Sequence, residues 1–238
     1  MVKPLSTQMA VEIYEEAGLP HGVVNLVHGG GDTGDKLVCA DIDHICFTGS
    51  AAVGQHIRTV AAKSWNKTTS CELGSKSACI IFDDVEMDLA VEAAVASAFK
   101  LSGQRCVSSG RMIVQRTVYD EFCKKFTEKA SELKTGNPFK KSIGTCGTPA
   151  AICWEEVTPD EEVYNSMAFN DPEATDLLPP VYTGETGTYF STPMIYQSEW
   201  RGHEASYLRN EVFGPHVGII PFDTLEDAIR IYNDTEYG

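Results

Sequence analysis

Hydrophobic runs of strand length alternate with stretches of helical periodicity along the first 135 residues. The helical patterns cover Thr7–Glu16, Thr33–Cys39, Val53–Lys63, Met87–Leu101 and Tyr119–Lys134. The strand patterns cover Gly22–Val27, His44–Phe47, Thr69–Leu73, Ala78–Phe82 and Arg111–Gln115. Strands that are separated by helices of this length predict a parallel sheet with right-handed crossovers, so the fold class is α/β.

Polar and glycine residues at the pattern boundaries predict where the helices start and stop. Ser6 is the expected N-cap of the first helix, which Gly18-Leu19-Pro20 ends. Asp83 and Asp84 are the expected caps of the helix over Met87–Leu101, and Gly103 follows that helix as a C-terminal signal.

The alternation fades between residue 141 and about residue 187. The stretch 155–176 contains acidic but no basic side chains, together with Pro159 and Pro172. This composition favours an exposed excursion or a flexible insert. Regular patterns return afterwards, with a signal at Tyr189–Tyr196, a strand at Val217–Pro221 and a helix at Leu225–Asn233.

Composition and charge exclude several classes of protein. The chain has 238 residues and a net charge of −15, with most of the excess negative charge after residue 140. Nucleic-acid binding needs a basic face, so we expect no nucleic-acid partner. No apolar run is long enough to span a membrane, and the N-terminus lacks a secretory signal, so the expected location is cytoplasmic.

The eight cysteines do not suggest a metal site or a disulfide framework. No pair has CxxC spacing, and most lie in apolar or helical contexts. We therefore expect reduced and mostly buried thiols, and no metal.

One cysteine and one glutamate stand in contexts that indicate chemistry. Cys106 lies in a glycine-containing loop, Gly103–Cys106, between a helix end and a strand, where a thiol can act as a nucleophile. Glu72, at the end of a strand, is a candidate general base. The alternatives are a buried structural cysteine and a solvated carboxylate.

A glycine-rich turn joins the second strand to the following helix. It contains Gly49, Ser50 and Gly54, and such a turn can present backbone N–H groups and the helix dipole to a phosphate. It lacks the GxGxxG spacing, so an ordinary tight turn is equally consistent with it.

Four segments in order resemble motifs of the aldehyde dehydrogenase superfamily. They are Phe47–Ser50 with Gly54, Glu72–Lys76, Gly103–Cys106 and Asn210–Pro215. Ala17–Pro20, Gly22–Asn25 and the end of the chain from Asn233 to Gly238 also look like that family. The order of the motifs matches, as does the spacing from Glu72 to Cys106.

The resemblance implies an organisation in two parts. Residues 1–72 would form an incomplete Rossmann-type dinucleotide-binding domain, and residues 73–238 an α/β catalytic domain that carries the cysteine. The segment at about 145–186 matches poorly and is acidic. The chain would be a central fragment that lacks the N-terminal and C-terminal regions of the family, whose complete form is expected to be a homo-oligomer. Exposed apolar edges and self-association are then expected.

The resemblance also implies a reaction and a set of site residues. An aldehyde would be oxidised to a carboxylic acid with NAD or NADP, through a thiohemiacetal and a thioester on Cys106, with Glu72 as the base that activates water. The residues implied at the cofactor are Gly49, Ser50, Gly54, Leu73, Gly74, Glu211 and Phe213. Among these, Glu211 would hydrogen-bond the nicotinamide ribose, and Phe213 would pack beside the ring.

Two departures from the family pattern keep other functions open. Ser75 stands where the family usually has a second glycine, which is tolerable if its backbone angle is ordinary. Part of the family's oxyanion hole and cofactor fold lies in regions that this chain does not contain. An inactive fragment or pseudoenzyme, and a cofactor-free thiol esterase that uses Cys106 and Glu72, are therefore the alternatives.

Overall fold

The computed structural model describes residues 4–135, 159–183 and 190–237. The chain falls into two compact units, Met1–Leu73 and Gly74–Gly238. The helices are α1 (Pro4–Glu16), α2 (Gly31–Cys39), α3 (Ala51–Ala61), α4 (Met87–Phe99), α5 (Tyr119–Ser131), α6 (Pro159–Phe169), α7 (Ser206–Arg209) and α8 (Leu225–Asn233). The strands are β1 (His44–Thr48), β2 (Thr68–Glu72), β3 (Ala78–Ile81), β4 (Arg111–Gln115), β5 (Thr175–Leu178), β6 (Tyr182–Thr183), β7 (Phe190–Ser191), β8 (Met194–Gln197) and β9 (His216–Phe222).

The first unit contains α1 to α3 and the parallel pair β1–β2. The two strands pair from His44 opposite Thr68 to Thr48 opposite Glu72. A small core of Val38, Ile45 and Ile57 lies between α2, β1 and α3. The β1–α3–β2 arrangement is the crossover unit that the sequence predicts, and it places the ends of both strands at one edge.

Two predictions for the first unit were wrong. Gly22–Val27 forms no strand, and Val23, Val24 and Val27 are exposed. A strand needs a neighbour for its ladder of hydrogen bonds, and within the described residues β1 and β2 pair only with each other. Ser6 is not an N-cap, because α1 already begins at Pro4.

A five-stranded sheet in the order β3-β4-β9-β8-β5 organises the second unit. The first four strands in this order run parallel, and β5 pairs antiparallel to β8. All seven residues of β9 are buried, as expected for a central strand that is covered on both faces. The described sheet is therefore mixed, whereas the sequence pattern predicted a parallel one.

Each face of this sheet has its own core. On one face, Phe99 of α4 packs against Phe122 and Phe126 of α5, with Met112 and Val114 beneath them. Ile113 points to the other face, since successive strand residues alternate. The second core also contains Tyr196, Tyr207, Leu208, Ala228 and Ile231.

The predicted cap of α4 was wrong. Glu86 is the N-cap, and its carboxylate accepts hydrogen bonds from the backbone N–H groups of Asp88 and Leu89. Asp83 instead accepts a hydrogen bond from the side-chain amide of Gln115 at 2.9 Å. The carboxylate of Asp83 thus joins the end of β3 to the end of β4.

The acidic stretch 155–176 is not an irregular excursion where the structure describes it. It contains α6 and the beginning of β5. Asp171, just after α6, binds Arg201 through both carboxylate oxygens and accepts a hydrogen bond from the Tyr207 hydroxyl at 2.6 Å. These contacts hold the guanidinium of Arg201 beside the second core and lower the pKa of Asp171 to about 2. Residues 155–158 lie outside the described residues.

The cysteines of the described part of the chain are free thiols. Among the six cysteines that the structure describes, only Cys123 is buried, whereas Cys39 and Cys46 are exposed and Cys106 is partly exposed. The prediction of mostly buried thiols was therefore wrong, because strand and helix patterns in the first unit do not correspond to covered faces. In the same part of the chain, no helix has the length and apolar character of a membrane span.

Large apolar side chains lie exposed on the first unit. They include Leu5, Met9 and Ile13 of α1, and Trp65, which is 98% exposed. The exposed apolar surface that the family resemblance predicts is present on this unit. Self-association itself stays a prediction.

Candidate active site

The loop that carries Cys106 begins with an unusual turn. Leu101, Ser102 and Gly103 have φ values of 54°, 60° and 71°. This left-handed region costs a residue with a side chain about 1–2 kcal/mol. Two such residues in succession indicate that packing around the loop, rather than its own preference, holds the turn in place.

Gly103 lies directly against the backbone of Gly214. A Cβ at position 103 would lie 2.2 Å from the carbonyl oxygen of Gly214 and 3.2 Å from that of Ala98. Only glycine permits this approach, and its φ is also one that glycine favours. The contact brings the Gly103–Cys106 motif against the Asn210–Pro215 motif.

Hydrogen bonds to α4 fix the loop over residues 103–110, which carries the predicted nucleophile Cys106 and is termed the nucleophile loop. Arg105 donates from Nη2 to the carbonyl oxygen of Ser97 at 2.9 Å, and the hydroxyls of Ser97 and Ser109 lie 2.7 Å apart. The backbone N–H of Ser108 donates to the Arg105 carbonyl at 2.9 Å. Cys106 remains partly exposed between these anchors.

Glu211 lies beside the segment that opens the second unit. Its Oε1 accepts a hydrogen bond from the backbone N–H of Ser75 at 3.2 Å. A Cβ on Gly74 would lie 2.4 Å from Oε2, so a side chain at position 74 would displace the Glu211 carboxylate. Burial raises the pKa of Glu211, while the Ser75 N–H and the charge of Lys76 oppose that shift. Phe213, two residues further on, is 38% exposed.

Ser75 is compatible with its position. Within the described residues, the only non-glycine residues with positive φ are Leu101 and Ser102, so Ser75 has an ordinary backbone angle. Its hydroxyl lies 2.6 Å from that of Ser77 and accepts the Ser77 N–H at 3.0 Å. The condition under which a serine was expected to be tolerable is met.

The first unit brings together the other predicted residues. Gly49 donates its backbone N–H to the carbonyl oxygen of Glu72 at 3.1 Å, which joins the ends of β1 and β2. Gly54 is buried in α3, and a Cβ there would lie 2.4 Å from Cδ2 of Leu73. The side chain of Glu72 is exposed at the end of β2.

The start of α3 is open to a ligand. Ser50 occupies the N-cap position with an extended backbone, φ −68° and ψ 150°, and its side chain makes no capping hydrogen bond. The first N–H groups of a helix lack partners within the helix, and its dipole favours an anion there. The geometry of Gly49 and Ser50 thus fits a phosphate.

The structure groups the predicted residues by unit. Gly49, Ser50, Gly54, Glu72 and Leu73 lie at one end of the first unit. Gly74, Cys106, Glu211 and Phe213 belong to the second unit. Each set is formed from segments that are distant in sequence.

Sequence reasoning missed three buried polar residues near this site. Arg111 is 1% exposed and donates to the carbonyl oxygens of Lys76, Ile231 and Tyr232 at 2.6–3.1 Å. His216 lies with Nε2 2.9 Å from the Tyr196 hydroxyl. Lys76 is 4% exposed. A signal for these residues was available in the sequence. Each is an ionisable residue within, or beside, a segment whose pattern predicts a buried strand, and such residues are rarely buried without a partner.

Comparison with known proteins identifies the class. The model of the aldehyde dehydrogenase family matches residues 2–238. This chain belongs to the aldehyde dehydrogenase family.

Individual relatives agree with this assignment. The chain is 33% identical to aldehyde dehydrogenase 1A1 of Oryctolagus cuniculus, over 99% of this chain and 46% of that protein. It is 34% identical to aldehyde dehydrogenase family 2 member C4 of Arabidopsis thaliana, over 100% of this chain and 47% of that protein. The chain therefore spans about half the length of the curated relatives that it matches.

Solved structures show the same fold. The Mycobacterium tuberculosis aldehyde dehydrogenase complexed with NAD⁺ is 34% identical, with a TM-score of 0.86 over 99% of this chain and 47% of that chain. A betaine aldehyde dehydrogenase from Staphylococcus aureus, in complex with NAD⁺, is 28% identical, with a TM-score of 0.84 over 100% and 46%. The fold is an aldehyde dehydrogenase-like α/β fold, as predicted. The dinucleotide-binding role of residues 1–72 and the catalytic role of residues 73–238 stay predictions.

Proposed function

We propose that this chain carries the catalytic core of an NAD(P)-dependent aldehyde dehydrogenase, which oxidises an aldehyde to a carboxylic acid. The observation that supports this most directly is the contact of Gly103 with Gly214. It places the loop of a partly exposed cysteine beside the segment that holds Glu211. The substrate is an aldehyde, and in the complete protein we propose a homo-oligomer.

The proposed reaction has two stages on Cys106. The thiolate attacks the carbonyl carbon and forms a C–S bond, while the carbonyl π pair moves to oxygen and gives a thiohemiacetal oxyanion. The backbone N–H of Cys106 would donate a hydrogen bond to this oxyanion and so stabilise it. Re-formation of the carbonyl would expel a hydride, for which a bound NAD⁺ or NADP⁺ would be the acceptor, and would leave a thioester. Water then attacks the thioester, the C–S bond breaks, and the acid and the thiolate are released.

Glu72 is proposed as the general base for the second stage. Its exposed carboxylate at the end of β2 can accept a proton from the attacking water. A base that acts only in hydrolysis of the thioester is not needed for the first attack by Cys106. The two stages can therefore be separated by substitution.

We expect Glu72→Gln to retain acylation of Cys106 and to lose turnover by about 100-fold or more. The measurement is hydrolysis of an activated ester, with the acyl-enzyme detected by mass spectrometry of the Cys106 peptide. Glu12→Gln, on the exposed surface of α1, is the matched control and should behave like the wild type. Equal loss of acylation and turnover in Glu72→Gln would contradict the proposed role.

The residues present fit a dinucleotide cofactor. The uncapped start of α3 beside Gly49 and Ser50 suits a phosphate, and Gly54 leaves room for Leu73. The backbone N–H of Ser75 holds Glu211 beside Gly74, and its carboxylate can accept a hydrogen bond from a ribose hydroxyl. Phe213 exposes part of its ring, which can pack against a nicotinamide. When bound, NAD⁺ or NADP⁺ supplies the acceptor for the hydride. The NAD⁺ complexes of the solved relatives support an NAD-type cofactor.

Titration with NAD⁺ and, in parallel, NADP⁺ tests the cofactor proposal. We expect saturable binding, and a weakening of about 10-fold or more in Glu211→Gln, because a hydrogen bond to a charged group contributes about 1.5–3 kcal/mol. Isothermal calorimetry measures both. Glu204→Gln, exposed in the same unit, is the control and should leave the affinity unchanged. Absence of saturable binding to the wild-type chain would refute the cofactor proposal and favour cofactor-free hydrolysis or an inactive chain.

A further inference from the structure

We propose that Lys76 is a positioning residue for Glu211, and that its ammonium supplies the counter-charge for this carboxylate across a small buried cavity. The proposal rests on the proposed cofactor role of Glu211. It adds a residue that contacts neither substrate nor cofactor in the proposed reaction. Lys76 acts through the ionisation and orientation of its partner.

The side chain of Lys76 extends into the interior of the second unit. Its Nζ donates to the carbonyl oxygen of Tyr207 at 2.9 Å. A Cβ on Gly110 would lie 3.5 Å from the same nitrogen, so Nζ lies beside the end of the nucleophile loop. The backbone of Lys76 is fixed as well, since its carbonyl oxygen accepts from both Nε and Nη2 of Arg111. The ammonium is thus held at a defined place.

A polar cavity connects Lys76 to Glu211. It has a volume of about 10 Å³, and Ser75, Lys76, Arg105, Ser108, Glu211 and His216 are among its lining residues. A space of this size holds about one water molecule. The two charges therefore interact across low-dielectric surroundings rather than across bulk solvent. Their interaction is several times stronger there than it would be in water.

The same cavity reaches the loop of Cys106. Nε of Arg105 and Oγ of Ser108 are buried and make no hydrogen bond within the described residues. Both residues flank the nucleophile and line the cavity. The cavity therefore lies between the proposed ribose carboxylate and the nucleophile loop, and a charge in it acts on both.

The electrostatics of the two groups are reciprocal. Burial and, to a smaller extent, the charge of Arg111 lower the pKa of Lys76 to about 7, although the charge of Glu211 opposes the shift. Burial raises the pKa of Glu211, and Lys76 lowers it. Two other charged or titratable side chains, His216 and Arg105, line the cavity. Burial and the charge of Lys76 hold the pKa of His216 well below its usual range, so this imidazole is neutral. Arg105 adds a positive charge on the loop side.

Titration of the Glu211 carboxyl tests the proposal without any cofactor. We expect Lys76→Met to shift the pKa of Glu211 upward, and Lys76→Arg to keep it close to the wild-type value. Carbon-13 NMR of glutamate-labelled protein follows the carboxyl, and Glu211→Gln assigns its signal. Lys124→Met, on the exposed face of α5, is the control and should shift nothing. An unchanged pKa of Glu211 in a folded Lys76→Met protein overturns the proposal.

The reciprocal experiment remains informative if Lys76→Met does not fold. Glu211 is only partly buried, so Glu211→Gln is expected to fold. It should lower the pKa of Lys76 below its value of about 7, followed by the Cε signal of labelled lysine. An unchanged lysine titration overturns the proposal. Since neither measurement uses NAD⁺, failure to bind cofactor leaves both outcomes readable.

Discussion

Replacing Cys106 by serine is expected to reduce turnover of an activated ester or an aldehyde by at least about 1,000-fold. A serine hydroxyl at this position has no adjacent base in the described loop to activate it, whereas a thiol is far more nucleophilic at neutral pH. Steady-state hydrolysis and site-resolved mass spectrometry measure the loss of turnover and of the acyl-enzyme. The fold should be unchanged, because Cys106 is partly exposed and the substitution is nearly isosteric.

The other thiols provide the control for this experiment. Cys39 is exposed in the first unit, and Cys39→Ser should retain full turnover while losing one rapidly labelled thiol. If Cys106→Ser keeps more than a few per cent of the turnover, the covalent mechanism proposed for this chain is wrong. Equal effects of the two substitutions would assign the hydrolysis to non-specific thiol reactivity.

The second large effect is expected for Gly103→Ala. The added Cβ would lie 2.2 Å from the carbonyl oxygen of Gly214, a backbone atom that cannot rotate away, and φ at Gly103 is 71°. Strain in the left-handed region and the displacement of one segment together predict a loss of about 2–4 kcal/mol in the free energy of unfolding. Urea denaturation followed by circular dichroism measures it.

Gly110→Ala is the matched substitution at the other end of the loop. Its Cβ would make an ordinary van der Waals contact of 3.5 Å with Nζ of Lys76, and we expect a change within about 0.5 kcal/mol. Gly103→Ala should also reduce the rate of Cys106 labelling or change its accessibility, since the loop must move. A Gly103→Ala protein as stable as Gly110→Ala would show that the close approach to Gly214 is not a constraint.

The elements that could be predicted from the sequence are those whose pattern has one physical interpretation. Arg111–Gln115 and Leu225–Asn233 coincide with β4 and α8. The first is a short apolar run between a loop and a helix, and the second has a strongly amphipathic pattern with Thr224 as its cap. In both cases the local sequence and the tertiary contacts favour the same structure.

Other elements depended on partners that are distant in sequence. Gly22–Val27 has the composition of a strand, but no strand of the described residues pairs with it. The acidic stretch 155–176 contains α6, a helix that tertiary contacts stabilise. Asp83 has a side chain that can cap a helix, yet its carboxylate accepts a hydrogen bond from the side-chain amide of Gln115 in β4 instead. A one-dimensional pattern contains no information about such competition.

The motifs predicted the site more completely than its electrostatics. The approach of Gly103 to Gly214 and of Gly74 to Glu211 agrees with motifs that occur together in one family. The position of Lys76 was different, because a lysine next to a strand is usually solvated. Lys76 can be buried because its ammonium donates a hydrogen bond to the carbonyl oxygen of Tyr207, which is 131 residues away in the chain.

The position of β9 in the sheet has a consequence for synthesis of the chain. Among the described strands, β9 comes last in the sequence, yet it lies between β4 and β8 and hydrogen-bonds to both. About one hundred residues separate β4 from β9 along the chain, which takes roughly 5–20 s on a ribosome at about 5–20 residues per second. Throughout that interval one edge of β4 has no strand to bind. We therefore expect the nascent second unit to expose an unpaired strand edge, which is a site for aggregation, until residue 222 has left the ribosome.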